Sequence, residues 1–236
     1  MMISRADIWV VYDTVQMTRQ DWRSRNRILV RDKVEWLTIP VVQRDRESTQ
    51  ICEALIYSDG RANWVDKHIK KLEASLAPLP YFVNLWSEIS TIYQHAHNAT
   101  HLTEVTVPLT EKLIELLRIN TTVVVASTNA TLADSLREVD RSRRLAAICA
   151  TLGASTYITT PRALAYLDQL AFAELGIRVE ILDMSVALVS SIEQTGVPLN
   201  ILDTVARQGL PALRNALASS KKIQPFASNF TDMRSQ

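Results

Sequence analysis

The chain has 236 residues, of which 47% are hydrophobic and 22% charged, with only five glycines. That composition excludes disordered and fibrous proteins and leaves an ordinary globular chain, long enough to bury a sizeable core. Its 26 basic and 25 acidic side chains give a net charge of +1, so overall charge implies no polyanionic partner.

No apolar run approaches the ~20 residues of a membrane span, and the start, Met1-Met2-Ile3-Ser4-Arg5, has no signal-peptide core. A cytoplasmic protein is the expectation. Cys52 and Cys149 lie in apolar segments without a second thiol or histidine beside them, which reads as two small core residues and not as a metal site. Four sequons, at Asn98, Asn120, Asn129 and Asn229, carry no weight without a secretory signal.

In chain order, Ile8-Trp9-Val10-Val11-Tyr12 is a β-branched and aromatic run that predicts a buried strand, with Asp13 at its carboxyl end. Ligands of open α/β sheets sit at that end, so Asp13 is a candidate site residue; an aspartate that caps a turn fits the position equally. The polar stretch from Gln16 to Arg27, centred on Trp22, is a short helix or an ordered loop. Residues 27 to 30 and 34 to 40 predict two strands of a hairpin, ended by Pro40. Residues 18 to 46 hold eight basic and four acidic side chains. A solvated hairpin rim explains that excess, and phosphate or carboxylate binding is the alternative. Gln50 to Tyr57 predicts a further strand, turned by Ser58-Asp59-Gly60 into a helix.

That helix, Asn63 to Glu73 and onward, organises the sequence. Val65, Ile69, Leu72 and Leu76 form one apolar stripe, and Trp64, His68 and Lys71 repeat the spacing on a neighbouring face. An aromatic wall, an imidazole and an ammonium side by side suit anion binding or proton transfer. The alternative is that Trp64 closes the helix start and Lys67, Lys70 and Lys71 form a solvated flank. Leu79-Pro80-Tyr81-Phe82 breaks the helix, and Phe82, Leu85, Trp86, Ile89 and Tyr93 mark a second. His95, His97 and His101 invite a zinc site, but i, i+2 histidines diverge on a helix, so a surface loop is the better reading.

The second half alternates more regularly. A helix over Leu109 to Leu117 leads to a strand over Thr121 to Ala126. Helices over Ser142 to Leu152 and Arg162 to Leu175, closed by Gly153 and Gly176, alternate with strands over Ser155 to Thr159 and Ile177 to Leu182. This order implies two βαβ units. The polar segment Ser127 to Arg141 is a candidate lid. A last helix runs from Val197 to Gln208 and is stopped by Gly209. The expected fold class is therefore α/β, a Rossmann-like, mostly parallel sheet with flanking helices and an N-terminal β-hairpin insertion. Residues 1–218 are expected to form a single domain and 219–236 a polar, frayed tail. No Gly-rich phosphate loop is present, which weighs against standard dinucleotide and P-loop functions.

An ordered set of segments resembles the WbqC-like protein family, found among bacterial O-antigen and other surface-polysaccharide biosynthesis genes. The set comprises Ala6-Asp7 to Asp13, Gln16, Trp22 with Asn26-Arg27-Ile28, and Trp36-Leu37-Thr38-Ile39-Pro40. It continues through Trp64, Lys67-His68, Pro80-Tyr81-Phe82, Arg144-Leu145, Leu152-Gly153-Ala154, Tyr157, Arg162, Tyr166-Leu167, Phe172, Gly176-Ile177 and Leu199 to Asp203. The family's usual opening His-Gln-Pro segment has no counterpart, Thr159-Thr160-Pro161 replaces a common glycine, and Asn200 stands where serine is common.

The resemblance implies a biosynthetic role on an amino sugar or a similar small acceptor, and with His68 beside Trp64 and Lys71 the leading expectation is a biosynthetic acyl or aminoacyl transferase. In that reading His68 is the general base and Asp13 orients the acceptor. Asn26, Arg27, Trp36, Trp64, Lys67, Lys71, Tyr81, Tyr157, Arg162 and Tyr166 contact the substrate. A nucleotide-dependent transferase is one alternative, and a non-catalytic binding or assembly protein that lost its first segment is another. The expected partner is a small-molecule or nucleotide-linked substrate, with nucleic acid disfavoured; cofactor and oligomeric state are not indicated.

Overall fold

The computed structural model describes residues 2–18, 22–42, 49–57, 63–182, 197, 199–219 and 223–225. The expected Ser58-Asp59-Gly60 turn and the tail beyond residue 225 lie outside the described residues. The chain divides into two compact units, a larger one of Ile8–Ser127 with Leu188–Ser219 and a smaller one of Met1–Asp7, Thr128–Ala187 and Ser220–Gln236.

In the larger unit, strand β1 (Ile8–Val11) pairs in parallel with β4 (Thr122–Val125), Ile8 opposite Thr122 and Val11 opposite Val125. Strands β2 (Arg25–Val30) and β3 (Lys33–Thr38) form the expected antiparallel hairpin. Its two-residue loop, Arg31 and Asp32, has φ of 47° and 63°. Two positive φ values in succession are the geometry whose twist matches a hairpin. Three helices follow, α1 (Trp64–Leu76), α2 (Phe82–Ala96) and α3 (Thr103–Leu116). Their apolar faces meet Ile28 and Leu37 of the hairpin in one core that includes Val65, Leu72, Leu85, Ile89, Leu102 and Val205.

The smaller unit holds the short helices α4 (Ala133–Leu136) and α6 (Leu170–Ala173), the longer α5 (Arg141–Thr151), and a three-stranded sheet. In that sheet β5 (Thr156–Thr159) is parallel to β6 (Arg178–Leu182), and β6 is antiparallel to β7 (Ile223–Pro225). Asp140 starts α5 by accepting the Arg143 amide at 2.8 Å, and Gly153 follows it with φ +69°. Ala146, Ala171, Phe172 and Ile177 form the core.

The mixed α/β class stands, while among the described residues the strands fall into three small sheets and not one Rossmann-like sheet. The βαβ reading holds for β5 and β6. It does not extend to β4, whose partner β1 lies more than a hundred residues earlier. Local periodicity cannot report so distant a pairing.

Gln50 to Tyr57 is not a strand: Ile51–Glu53 is a 3-10 turn, and Gln50, Leu55 and Ile56 make only isolated bridges. Helix α3 begins at Thr103 and carries Pro108 inside it, because Glu104 already caps its start by accepting the amides of Thr100 and His101 at 2.7 and 3.2 Å. The candidate lid from Ser127 is a series of short helical turns with Leu132 fully buried, which is packed structure. Arg162 to Leu175 is a 3-10 turn over Pro161–Ala165 followed by α6.

The last helix, α7 (Ile201–Ser219), belongs to the larger unit and is broken at Gly209, with φ 79° and ψ 158°. That region is essentially closed to residues with a Cβ, so the glycine stops one helical segment, and Pro211 sits in the opening turn of the next, where no amide donor is required. The Tyr81 ring lies over the break: a Cβ on Gly209 would come within 3.0 Å of it. The Tyr81 amide donates to the Ala206 carbonyl at 3.0 Å, fixing the start of α2 to the end of the first segment. Replacement of Gly209 by alanine is expected to cost about 1–3 kcal/mol through the forbidden backbone conformation and the displaced ring. Urea denaturation of wild type and Gly209→Ala, compared at one pH, measures it.

Candidate functional site

Helix α1 starts where Asn63 accepts the Val65 amide at 2.9 Å. Its buried side chains are Trp64, Val65, His68, Leu72 and Leu76, with Ile69 half-buried. The face carrying Trp64 and His68, next to the four-residue stripe, is therefore part of the packed side as well. The cause is the hairpin: α1 lies against both β2 and β3, and two strands cover a wider arc of helix than a single apolar stripe.

His68 is only 6% exposed. Trp64 stands edge-on to its ring at 4.9 Å between centroids, and the Tyr93 ring lies 6.3 Å away. Burial lowers the imidazole pKa to about 4, helped by the nearby Lys71 charge and opposed by a hydrogen bond to the Thr38 backbone. A bond that favours the charged ring is one in which a ring N–H donates to a carbonyl. Nε2 is buried and has no hydrogen-bond partner among the described residues, so Nδ1–H is the donor and Nε2 the acceptor of a neutral ring.

Lys71 is committed to the hairpin. Its Nζ donates to the Trp36 carbonyl at 3.0 Å and pairs with the Glu35 carboxylate at 2.8 Å. Lys67 is exposed on α1. Of the three clustered histidines, His97 meets Asn63 and lies 3.7 Å from the Asp66 carboxylate, joining the end of α2 to the start of α1. His101 lies 2.9 Å from the Thr100 hydroxyl.

The hairpin's other face carries Arg25, Arg27 and Trp36, since Arg27 is opposite Trp36 and alternate residues share a face. Trp22 joins them, its ring 5.4 Å from that of Trp36. Asn26 is exposed and accepts the Arg27 amide. The Arg27 carbonyl accepts from both the Asn200 amide (3.0 Å) and its Nδ2 (2.7 Å), and Asn200 Oδ1 accepts the Asp203 amide.

Asp13 is 2% exposed at the end of β1 and faces Ser127 at the end of β4. One carboxylate oxygen accepts the Ser127 amide at 2.9 Å, the other its hydroxyl at 2.6 Å. The Asp13 carbonyl also accepts the Cys52 amide at 2.9 Å. Burial first, then the negative charge of Asp13, raises the Cys52 thiol pKa, so it is a thiol at neutral pH. Asp13 and His68 thus have different partners, Ser127 and Thr38.

Tyr157, Arg162 and Tyr166 belong to the smaller unit. Tyr157 stacks on Phe172 with centroids 4.9 Å apart, while Arg162 and Tyr166 are exposed on the turn that follows β5.

A model of the WbqC-like protein family matches residues 1–214. The chain belongs to that family. It is also 32% identical over 178 residues to the uncharacterized protein Rv1507c of Mycobacterium tuberculosis, a match that covers 75% of this chain and 73% of the relative. No solved structure matches it.

In this WbqC-like protein some of the motif segments that carry the resemblance meet in the larger unit: the Asn26-Arg27 pair is held by Asn200, and Trp36 by Lys71. Three groups escaped the sequence reading. Ser127 has no local signal, because its partner is 114 residues away. Arg25 looked like one of many basic residues until the hairpin register put it beside Trp36. Asp203 is fully buried and takes Arg207 Nε at 2.8 Å and a terminal guanidinium nitrogen at 3.2 Å; their i, i+4 spacing was the signal available.

The depressed His68 pKa ties stability to pH. The unfolded chain takes up the proton below about 6.5 and the folded chain only below about 4, so stability falls as pH drops through that window and is unaffected above it. The loss expected is on the order of 3 kcal/mol for a shift of this size. Chemical denaturation at pH 7 and pH 4.5 should show a decrease in wild type that is largely absent in His68→Leu.

Proposed function

We propose that this WbqC-like protein is a biosynthetic transferase that moves an acyl or aminoacyl group to an amino sugar or a comparable small acceptor. The observation that carries the proposal is the buried neutral imidazole of His68 with an unpaired Nε2. An unmade hydrogen bond of this kind costs about 1–3 kcal/mol, so a donor that reaches Nε2, whether a water or a reacting group, is favoured there. The surface-polysaccharide setting that the family resemblance implies supplies the acceptor class.

In this reading the acceptor amine attacks the donor carbonyl, a C–N bond forms, and the adduct carries a positively charged nitrogen. Its N–H proton is acidic enough for a weak base. His68 Nε2 takes that proton, and the donor's leaving group departs with the electron pair of the bond that breaks. At a pKa of about 4 the ring is unprotonated at neutral pH, so Nε2 can accept a proton from the adduct, though not from a free amine. Asp13 acts as a positioning residue through Ser127, since both its oxygens are already bonded there. Trp64, Lys67 and Lys71 on α1, Asn26, Arg27 and Trp36 on the hairpin, and Tyr81 before α2 are proposed as substrate contacts within the larger unit. Tyr157, Arg162 and Tyr166 are proposed as a contact set within the smaller unit.

A specific observation favours a second reading, a non-catalytic binding or assembly protein: Asp13, Lys71 and the Nδ1 side of His68 all have structural partners. One pair of variants separates the two. Transfer followed by mass spectrometry is expected to slow by about 10²- to 10⁴-fold in His68→Gln while the thermal midpoint stays close to wild type. Undiminished turnover in a folded His68→Ala protein removes the catalytic assignment, and unimpaired function in a complex after substitution of both Asp13 and His68 supports the binding reading.

A further inference from the structure

We infer that the outer face of the β2–β3 hairpin is a binding site for a nucleoside diphosphate, the carrier half of a nucleotide-linked substrate. Four side chains build it: Trp22, Arg25, Arg27 and Trp36. The Arg25 guanidinium carbon lies 4.1 Å from the centre of the Trp36 ring, and that of Arg27 lies 4.9 Å from Trp22 and 5.1 Å from Trp36. The two indoles are tilted by 57°.

Charge and exposure set the ligand's chemistry. Among the described residues neither Arg25 nor Arg27 has a carboxylate partner, and Glu35, the acid on β3, is paired with Lys71. A guanidinium held over an indole ring is restrained in position and has five N–H donors, those not turned to the ring being open to forked bonding with phosphate oxygens. The two arginines are alternate residues of one strand, about 7 Å apart along it, a separation that long side chains can close onto a diphosphate. Trp22 is 54% exposed and offers a ring against which a planar base can stack. Two cations alone fit any anion. Two cations joined to an exposed indole fit an anion that carries an aromatic ring.

The platform is held from behind. Asn200 binds the Arg27 carbonyl with two donors, and Lys71 binds the Trp36 carbonyl, so the strands are fixed by their backbones and the outward side chains are left to the ligand. No Gly-rich loop is needed, because the phosphate donors are guanidinium groups instead of backbone amides.

The choice of a nucleotide-linked ligand rests on the biosynthetic reading above, but the test reads binding without turnover. Isothermal titration of the full chain with uridine diphosphate, inorganic pyrophosphate and uridine compares the whole ligand with its anionic and aromatic halves. Saturable binding of the diphosphate is expected, tighter by about tenfold or more than either half. Arg27→Gln and Trp22→Leu should each weaken it by about tenfold, with circular dichroism unchanged. Pyrophosphate binding as tightly as the nucleotide, affinity unaltered in both variants, or no saturation by about 1 mM nucleotide would each overturn the inference. Any of these leaves the His68 reading standing, since that reading is judged by transfer; loss of the His68 reading likewise leaves the titration intact.

Discussion

The structure of the larger unit depends on burying one face of a two-stranded hairpin against α1. A free hairpin is marginal in water, so β2 and β3 need a surface on which to lay Ile28 and Leu37. Helix α1 supplies Val65 and Leu72, and each such side chain removed from water contributes about 1.5–3 kcal/mol. The same burial strips water from His68, which is why the imidazole is neutral and why its one firm bond is to the β3 backbone. Strand alternation does the rest: once Ile28 and Leu37 face inward, Arg25, Arg27 and Trp36 must face outward.

Polar anchors set the position of this hairpin more narrowly than apolar contact can. Hydrophobic burial is non-directional, whereas Lys71 reaches the Trp36 carbonyl and Asn200 the Arg27 carbonyl, one on each strand at directly opposed residues. Asn200 also accepts the Asp203 amide at the start of α7, so one side chain ties the beginning of the last helix to the hairpin. Further along, Gly209 lets α7 bend beneath Tyr81, and Tyr81 begins α2. Hairpin, α7 and α2 are linked by these contacts through residues far apart in sequence.

The hairpin is legible because its signals are local, and so are α1, α2, α5 and strands β5 and β6; β7, in the stretch expected to be a frayed tail, is not. Alternation, amphipathic spacing and glycine at helix ends act within about ten residues. The separation into three sheets was not legible, since β1 and β4 are four-residue strands whose pairing is set by distant chain. The site divides along the same line. Trp36, Arg27, Trp64 and His68 stand out in the sequence, but the apolar stripe leaves His68 on a neighbouring face, because a stripe shows which residues prefer burial, not how wide the covering surface is. Ser127, which takes up both oxygens of Asp13, was invisible for want of any local constraint.

A consequence of strand geometry joins the two chemistries. On the inner side of the hairpin lies a neutral acceptor nitrogen in an apolar setting; on the outer side lie two guanidinium groups on indole rings. A cation beside His68 lowers its basicity further, as Lys71 already does. Guanidinium groups on the same face would deepen that effect, whereas the Lys71 ammonium is paired with Glu35. The alternation that turns Arg25 and Arg27 away from α1 therefore keeps their charges apart from the buried imidazole of His68. A one-residue slip of the hairpin would bring those guanidinium groups into the core beside His68, where desolvation and repulsion both oppose them. Lys71 and Asn200, by fixing the register through opposed backbone carbonyls, guard against that slip.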